Sequence, residues 1–149
     1  MKDSHLRQMS VEDIPKVLEI ERECLLSPWS FDGYKNELLR DDSKAIVAEI
    51  DGELIGFSIT RLITSASEGE ILNIAVREQF RKRGIGGLLL KETINFLKTN
   101  KIQSVWLEVR KSNFTAQDFY RRSGFVFCGE RKNFYTNPTE DALVLKLNL

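Results

Sequence analysis

The sequence predicts one α/β domain built around a mixed β-sheet, and the order of its hydrophobic patterns carries that prediction. Helical periodicity comes first, a hairpin of apolar strands follows, and the chain then runs strand–helix–strand–helix–strand. Strands that alternate with helices are typical of parallel pairing, whereas a hairpin is antiparallel, so the sheet should be mixed. The length of 149 residues fits a single domain. We therefore expect residues 1–149 to fold as one unit.

Composition excludes several classes of protein. The 22 Lys+Arg and 22 Asp+Glu residues give a formal net charge of zero, and 42% of the residues are hydrophobic. Intrinsic disorder needs lower hydrophobicity, and duplex binding through a large positive field needs net positive charge, so no nucleic-acid partner is expected. There is no apolar run of about 18 residues, which predicts no membrane span. Residues 1–5 lead into no apolar stretch, which predicts no secretory signal.

Cysteine and histidine are too scarce for a metal centre of the usual kind. Cys24 and Cys128 lie far apart in the chain, and His5 is the single histidine. A disulfide scaffold, a cysteine-based zinc site and a histidine-dependent triad are all disfavoured by these counts. We expect no metal and a reducing, cytoplasmic location.

Two helices are predicted before the first strand. Ser10 and Asp13 have the S-x-x-D spacing of a capping box, and Pro15 requires the first helix to start nearby. The second helix should start after Ser30. The apolar residues at helical spacing are Ile14, Val17, Leu18 and Leu25 in the first helix and Phe31, Tyr34, Leu38 and Leu39 in the second.

Strands dominate the middle of the chain. Residues 45–50 and 54–63 are rich in apolar and β-branched side chains, and Asp51-Gly52 between them is a strong hairpin signal. Residues 70–76 form a nearly all-apolar run that suits a buried strand. The remaining expected elements are a helix at 84–99, a strand at 104–109, a helix at 113–122 ended by a left-handed Gly124, and strands at 125–129 and 142–147.

A basic, glycine-containing loop joins the strand at 70–76 to the next helix. Helix N-termini present free N–H groups and a positive dipole end, and glycines let the backbone approach an anion, so the loop suits a pyrophosphate. It does not match GxxxxGK(S/T), and Leu89 stands where GxGxxG needs its last glycine. The structural alternative is a solvated basic turn whose glycines allow close packing.

The spacing R-x-x-G-x-G at Arg81, Gly84 and Gly86 resembles the acetyl-CoA loop of the GNAT family of N-acetyltransferases, whose pattern is Q/R-x-x-G-x-G/A. Further along the chain, Leu107-Glu108-Val109-Arg110, Ser112-Asn113, Tyr120 and Gly124-Phe125 resemble the LEVR-x-SN-x(6)-Y-x(3)-GF stretch of the RimI-type ribosomal-protein-alanine N-acetyltransferases. Other matching segments are Pro28-Trp29-Ser30, Leu72-Asn73-Ile74-Ala75-Val76, Asn133-Phe134-Tyr135 and Glu140-Asp141-Ala142. The resemblance spans nearly the whole chain and implies a splayed central sheet.

The resemblance also assigns residues to acetyl-CoA. In the family, one strand pairs with the pantetheine arm, the loop cradles the pyrophosphate, and an asparagine at the next helix bonds to the arm. The corresponding residues here are Ile74, Ala75, Val76, Arg81, Lys82, Arg83, Gly84, Ile85, Gly86, Gly87 and Asn113. Asn113 could alternatively be a simple N-cap.

Two residues are the candidate catalytic groups. The resemblance makes Glu108 the proton acceptor and sets Tyr120 near the sulfur, where it would assist departure of the thiolate. Alternation along the strand places Glu108 on the polar face with Trp106 and Arg110, so an ordinary ion pair with Arg110 or a neighbouring strand is the structural alternative. Tyr120 could instead be a core aromatic residue. Glu70 is the rival base, since related enzymes with lysine acceptors use a glutamate on the preceding strand.

The resemblance implies an acetyl-CoA-dependent enzyme that acetylates a protein N-terminus, most plausibly the alanine of a small-subunit ribosomal protein. An α-amine has a pKa of about 7.7–8.0 against about 10.4 for lysine, so only a mild base is needed. Trp29, Phe134 and Tyr135 are the candidate acceptor groove, although Trp29 could simply pack between helices and Phe134 replaces a tyrosine usual in the subfamily. The alternatives are transfer to a small-molecule amine or a lysine, and a non-catalytic CoA-binding module.

Overall fold

A computed structural model describes residues 3–24 and 28–149, and within these ranges seven strands form one mixed sheet. The strands are β1 (His5–Gln8), β2 (Ser43–Ile50), β3 (Glu53–Ile63), β4 (Glu68–Val76), β5 (Ser104–Arg110), β6 (Val126–Tyr135) and β7 (Glu140–Asn148). The helices are α1 (Ile14–Glu23), α2 (Phe31–Leu38), α3 (Ile85–Thr99) and α4 (Phe114–Arg122). In the described ranges, no helix has the length and apolar character needed to cross a membrane.

The strand order across the sheet is β1-β2-β3-β4-β5-β7-β6. All neighbours pair antiparallel except β4 and β5, which are parallel because α3 provides the crossover between them. The predicted α/β class with a mixed sheet is therefore confirmed. Strand β1 was not predicted from the sequence. Its four residues, His-Leu-Arg-Gln, contain a single apolar side chain and therefore show no alternation of apolar and polar residues.

The helix starts follow their capping residues. Asp13 accepts hydrogen bonds from the Ser10 N–H at 2.8 Å and the Ser10 hydroxyl at 3.2 Å, and a 3₁₀ turn at Val11–Asp13 leads into α1. Ser30 accepts from the Gly33 N–H at 2.9 Å and caps α2. Both predicted helices are confirmed in position.

The apolar stripes were predicted less well than the helices. Ile14, Val17 and Tyr34 are fully buried, as helical spacing suggested. Phe31 and Leu39 are exposed, Leu39 by 75%. Phe31 is the first residue of α2 and precedes the turn that packs on the sheet, and Leu39 follows the end of α2 at Leu38. Leu25, the last residue of the predicted α1 stripe, lies outside the described residues.

The β2–β3 hairpin closes through the predicted Asp51-Gly52 turn. Both residues have left-handed backbone angles, with φ of 52° and 79°, as a type I′ turn requires. Helices α1 and α2 then cover one face of the sheet through Val47, Phe57 and Ile59, and α3 packs on the other face against Ile46 and Ile55. The two helical layers leave the centre of the sheet buried from both sides.

The sheet opens between β4 and β5. These strands pair only at Glu68, Gly69 and Glu70, opposite 104–106, and separate beyond that point. On the β3 side, Ile59 pairs with Asn73 and Thr60 with Ile71, so Leu72 is an extra residue in β4. Such a bulge bends a strand locally. It follows directly after the last residue paired with β5, and the splay that the resemblance implied is thereby confirmed.

Candidate active site

The opening between β4 and β5 contains a cavity of about 280 Å³. Residues of β4 and β5 form its two sides, α4 closes one face, and the segment before α2 and the end of β6 close the other. Its lining includes Trp29, Glu70, Asn73, Ile74, Glu108, Arg110, Asn113, Tyr120, Phe134 and Tyr135. The candidate catalytic and acceptor residues thus meet in one place with Ile74 and Asn113, whereas Ala75, Val76 and the loop at residues 81–87 do not line this cavity.

The cavity side of β4 offers unpaired backbone groups. Directly after β4, the Arg77 N–H donates to the Ile55 C=O of β3 at 2.8 Å. This bond shows which alternate residues along β4 hydrogen-bond to β3. Bonding alternates along an antiparallel ladder, so Ala75 also faces β3, while Ile74 and Val76 direct their N–H and C=O groups to the open edge. The Val76 C=O already accepts from Arg81 and Cys24, so the groups without a partner among the described residues are the Ile74 N–H, the Ile74 C=O and the Val76 N–H. An amide-containing arm such as pantetheine could bond there as an added strand.

The side chain of Arg81 is held by contacts with other parts of the protein, at the end of β4 and at the residue after α1. Its Nε donates to the Val76 C=O at 3.0 Å, its Nη2 lies 3.3 Å from the Cys24 Sγ, and its N–H donates to the Glu78 C=O. The Cys24 thiol also donates to the Val76 C=O at 3.5 Å. Arg81 therefore ties α1 and the end of β4 to the loop, and it offers an anion its charge but no free backbone donor.

The loop presents the N-terminus of α3 beyond the end of β4. Lys82 and Gly84 both have left-handed backbone angles, with φ of 62° and 82°, which turn the chain into the helix. The first backbone hydrogen bond of α3 runs from the Leu88 N–H to the Gly84 C=O at 3.0 Å. The N–H groups of residues 85–87 consequently have no intrahelical acceptor and can bind phosphate oxygens. The side chain of Ile85 is buried, so it contributes its backbone.

Two of the glycines in this turn have different surroundings. A Cβ on Gly86 would lie 3.4 Å from the ring of Phe119, so glycine there permits the close approach of α3 and α4. A Cβ on Gly87 would meet nothing within 4 Å. The space beside Gly87 is therefore available to a ligand.

Gly87→Val is expected to weaken acetyl-CoA binding about tenfold or more, because the side chain occupies space beside the free N–H groups without disturbing packing. The melting temperature of the ligand-free protein should change little. Thermal shift against acetyl-CoA concentration measures both quantities, since a ligand of the folded state raises the melting temperature. Unchanged affinity would show that this turn has only a structural role. The double change of Gly84 and Gly86 to Val should abolish binding but also strain the fold, since Gly84 is left-handed.

Glu108 projects from β5 into the cavity with its side chain 10% exposed. Within the described residues, its buried Oε2 has no hydrogen-bond partner, and the nearest cation is Arg131, whose Nε lies 3.8 Å away. Burial raises the pKa of the carboxyl, the Arg131 charge opposes that rise, and the Glu70 charge adds to it. The result is a carboxylate that is more basic than an ordinary glutamate and aimed into the opening.

Arg110 is not the partner of Glu108 that an ordinary ion pair on the strand would require. Its guanidinium donates to the carbonyls of Thr136 and Pro138 at 3.0 and 3.1 Å and to the Glu140 carboxylate at 3.3 Å. Arg110 is therefore not the ion-pair partner of Glu108; the ion pair that Glu108 does form is with another strand, through Arg131 of β6. The register of β5 with β7 sends Arg110 to the β6–β7 connection instead.

Glu70 lies in the same cavity, at the last residue of β4 that pairs with β5. Burial raises the pKa of its carboxyl, and the charges of Arg61 and Arg131 oppose the rise. Its side chain is half-buried, so it is not an ordinary water-facing charge at a strand end. Both candidate bases therefore have cavity positions and raised pKa values.

Asn113 caps the N-terminus of α4 and Tyr120 lies within the helix, and both line the cavity. The ring of Tyr120 is 6% exposed and packs edge-on against Phe119 and Phe125, with centroids 5.1 and 5.3 Å away. Burial raises the pKa of its hydroxyl, which has no hydrogen-bond partner among the described residues. The Asn113 Oδ1 accepts from the Ala116 N–H at 3.1 Å as an N-cap, which leaves its Nδ2 group for a ligand. Tyr120 is thus both a core residue and a cavity residue.

The three candidate acceptor residues lie together at the mouth of the cavity. Trp29 is half-buried and stacks on Tyr34, with ring centroids 4.9 Å apart, so it packs between helices and lines the cavity at once. Phe134 is 45% exposed. The ring of Tyr135 carries the Arg110 guanidinium 4.5 Å above it, and burial raises the pKa of its hydroxyl to about 12.

Sequence reasoning assigned no role in this site to Asn73 or Arg131, and it suggested Arg110 only as an ion-pair partner of Glu108. Asn73 and Arg110 stand inside segments that we quoted, but nothing in their spacing showed that they line a cavity. Arg131 carried no signal at all, because it reaches Glu108 through the pairing of β6 with β7. Only the strand order, which puts β7 between β5 and β6, brings it close.

Comparison with known proteins agrees with this geometry. Residues 14–125 match the model of the Acetyltransferase (GNAT) family. A ribosomal protein bS18-alanine N-acetyltransferase of Haemophilus influenzae is 35% identical over 95% of this chain and 97% of its own, and the enzyme of that name from Salmonella typhimurium is 33% identical over 93% of each. The crystal structure of the Escherichia coli ribosomal-protein-S18-alanine N-acetyltransferase superposes with a TM-score of 0.85 at 28% identity, over 98% of this chain and 94% of that one.

These relatives are enzymes, which disfavours the non-catalytic alternative. The chemistry of the site also fits acetyl-CoA, since an open strand edge, an amide side chain and a helix N-terminus follow one another along the opening. The chain belongs to the Acetyltransferase (GNAT) family and is an acetyl-CoA-dependent N-acetyltransferase of its RimI type.

Proposed function

We propose that this protein, as a single cytoplasmic domain, transfers the acetyl group of acetyl-CoA to the α-amine of a protein N-terminus, with the N-terminal alanine of a small-subunit ribosomal protein as its acceptor. The names of its relatives support the acceptor. One observation carries the reaction: β4 and β5 separate after Glu70, and Glu108 and Tyr120 both line the opening.

The donor would lie along the open edge of β4. In this proposal, Ile74, Ala75 and Val76 form the strand that pairs with pantetheine, and the Asn113 amide bonds to it from α4. The turn at residues 82–87 cradles the pyrophosphate, and Arg81 adds positive charge while it holds the turn in place. The thioester then lies inside the cavity, beside Glu108 and Tyr120.

The reaction needs one proton acceptor and one leaving group. The neutral amine attacks the thioester carbonyl, a C–N bond forms, and the C–S bond breaks as the tetrahedral intermediate collapses. Glu108 takes the amine proton, directly or through water, and Tyr120 donates a hydrogen bond to the departing thiolate. An α-amine, with its pKa of about 7.7–8.0, is partly neutral near pH 7, so one moderately basic carboxylate suffices.

Glu70 supports a second candidate acceptor. It faces the same cavity with a raised pKa, and a lysine or small-molecule amine would need a stronger base than an N-terminus does. In that case Glu70 would take the proton, and the acceptor groove formed by Trp29, Phe134 and Tyr135 would be of little consequence.

Peptides with a free N-terminal alanine should be acetylated at the α-amine. The same peptides with a blocked terminus and an internal lysine should not be, because the lysine amine is mostly charged near neutral pH. Mass spectrometry after incubation with acetyl-CoA locates the modified amine. Peptides that differ only in their first two residues serve as matched controls for the preference for alanine. Equal rates on the internal lysine would overturn the proposal in favour of the Glu70 alternative.

A further inference from the structure

A buried carboxylate on α1 lies behind the acceptor side of the cavity. Glu21 is 2% exposed, and no lysine or arginine of the described ranges forms an ion pair with it. Its oxygens instead accept from the Trp29 N–H, at 3.1 Å each, and from the Tyr34 hydroxyl. Within residues 3–24 and 28–149, the hydrogen bonds to Glu21 come from two neutral donors, the Trp29 N–H and the Tyr34 hydroxyl.

These contacts reach the cavity wall at two points. Trp29 lines the cavity with its ring while its backbone N–H is held by Glu21. The Tyr34 hydroxyl, which donates to Glu21, also lies 3.5 Å from the Nδ2 of Asn73, another cavity residue. Tyr34 is fully buried between them and stacks on Trp29. Glu21 therefore connects α1 to both the segment before α2 and the centre of β4.

A carboxylate in this position is expensive for the fold. Removal of an ionised group from water is strongly unfavourable unless hydrogen bonds replace the lost hydration, and apolar residues of similar volume often serve packing better. What a carboxylate adds is direction, because it accepts several donors at fixed angles and so fixes their positions. Here the donors are the backbone N–H of Trp29 and the hydroxyl of Tyr34, whose ring packs on Trp29.

We infer that Glu21 is a positioning residue for the acceptor: it fixes the Trp29 backbone and the Tyr34 hydroxyl, and so shapes the wall of the cavity on the β4 side. The inference rests on the proposed function, since it takes the acceptor to be a peptide that enters beside Trp29. In the proposed arrangement acetyl-CoA lies along Ile74–Val76 and the N-terminus of α3, and none of the hydrogen bonds of Glu21 to described residues involves these segments, so acetyl-CoA binding should be indifferent to Glu21.

Glu21→Gln tests this inference in the full-length enzyme with acetyl-CoA and an Ala-terminated peptide. The KM for the peptide should rise about tenfold, the size of one hydrogen bond to a charged group, while kcat and the KM for acetyl-CoA stay within about twofold. Tyr34→Phe keeps the ring but removes the hydroxyl, and should give a smaller rise of the same kind. Asp13→Asn is the matched control, because Asp13 is also a buried carboxylate next to α1 but bonds to Arg7 and Ser10, away from the cavity. It should lower the melting temperature and leave both KM values unchanged.

A second measurement does not depend on the acceptor. In a Trp106→Phe background Trp29 is the remaining tryptophan, and its fluorescence should be quenched more by acrylamide when Glu21 is Gln than when it is Glu. Equal quenching, or a proportional rise of both KM values, would overturn the inference and leave Glu21 a structural residue. If the wild-type protein fails to acetylate the peptide, the proposed function falls, while the quenching result still decides whether Glu21 positions Trp29.

Discussion

Glu108→Gln is expected to lower kcat/KM for an Ala-terminated peptide by about 10²–10⁴, the usual contribution of a positioned general base. The side chain stays the same size and the cavity keeps its shape, so binding of acetyl-CoA should be little affected. The loss should shrink as pH rises, because more of the amine is then neutral before it binds. Initial rates between pH 6 and pH 9, at about one-unit steps, measure both effects. A deficit that is the same at every pH would show that Glu108 positions the substrate instead.

The same substitution should not destabilise the protein at neutral pH. Burial raises the pKa of the Glu108 carboxyl in the folded state, so the folded protein holds its proton more tightly than the unfolded chain does. Its contribution to the free energy of unfolding is complete below the ordinary glutamate pKa and is lost as pH rises through the raised value. Glutamine has no such loss. The melting temperature of the variant relative to wild type should therefore increase from about pH 4 to pH 7.

Glu70→Gln is the matched control for both measurements. It removes a second cavity carboxylate with a raised pKa, and it should cost activity much less than Glu108→Gln if the acceptor is an N-terminus. A larger loss for Glu70→Gln would identify Glu70 as the base and would go with a lysine acceptor.

Tyr120→Phe should lower kcat by about 10²-fold or more and change acetyl-CoA affinity by only a few-fold. Burial raises the pKa of the Tyr120 hydroxyl, whereas a thiol has a pKa of about 8.5, so complete proton transfer to the thiolate is unfavourable. A hydrogen bond that strengthens as charge builds on sulfur avoids that transfer, and it helps the transition state more than the bound thioester. Steady-state kinetics with both substrates varied, together with calorimetric binding of acetyl-CoA, separate the two quantities.

The packing of Tyr120 makes this a clean test. The ring contacts Phe119 and Phe125, and phenylalanine preserves those contacts, so the melting temperature should hold. A variant with nearly wild-type kcat would mean that Tyr120 is a packing residue and that the thiolate leaves without its help.

Local signals in the sequence predicted the elements of the fold well, because each depends on neighbouring residues. The Asp51-Gly52 turn, the Ser30 cap and the left-handed Gly124 are decided within a few residues of chain, and the structure has all three. The edge strand β1 was missed because its pairing with β2 supplies the order that its own sequence does not encode. The divergence of β4 from β5 had no local signal and was predicted only through family resemblance.

The site shows the same division between local and long-range information. Alternation along β5 put Glu108 on the polar face, which the structure has, but it could not tell which cation would face it. Arg131 faces Glu108 because β6 lies next to β7, on the far side of β7 from β5. Arg110 bonds instead to Glu140, at the start of β7. Glu21 looked like an ordinary charge on an amphipathic helix, and its burial depends on Trp29 and Tyr34 from the next segment.

The position of the open edge of β4 limits its pairing with another polypeptide. An unpaired strand edge is normally a template for another chain, and long exposed edges promote aggregation. Here the edge faces into a cleft whose far side is β5. A polypeptide that paired with Ile74 would have to place side chains against Tyr120 on one face and against Trp29 and Tyr135 on the other. A slender arm with amide groups and few substituents fits the cleft more easily than a polypeptide does. The cleft therefore admits the donor substrate, while its walls hinder the same hydrogen bonding by another polypeptide even before any substrate is bound.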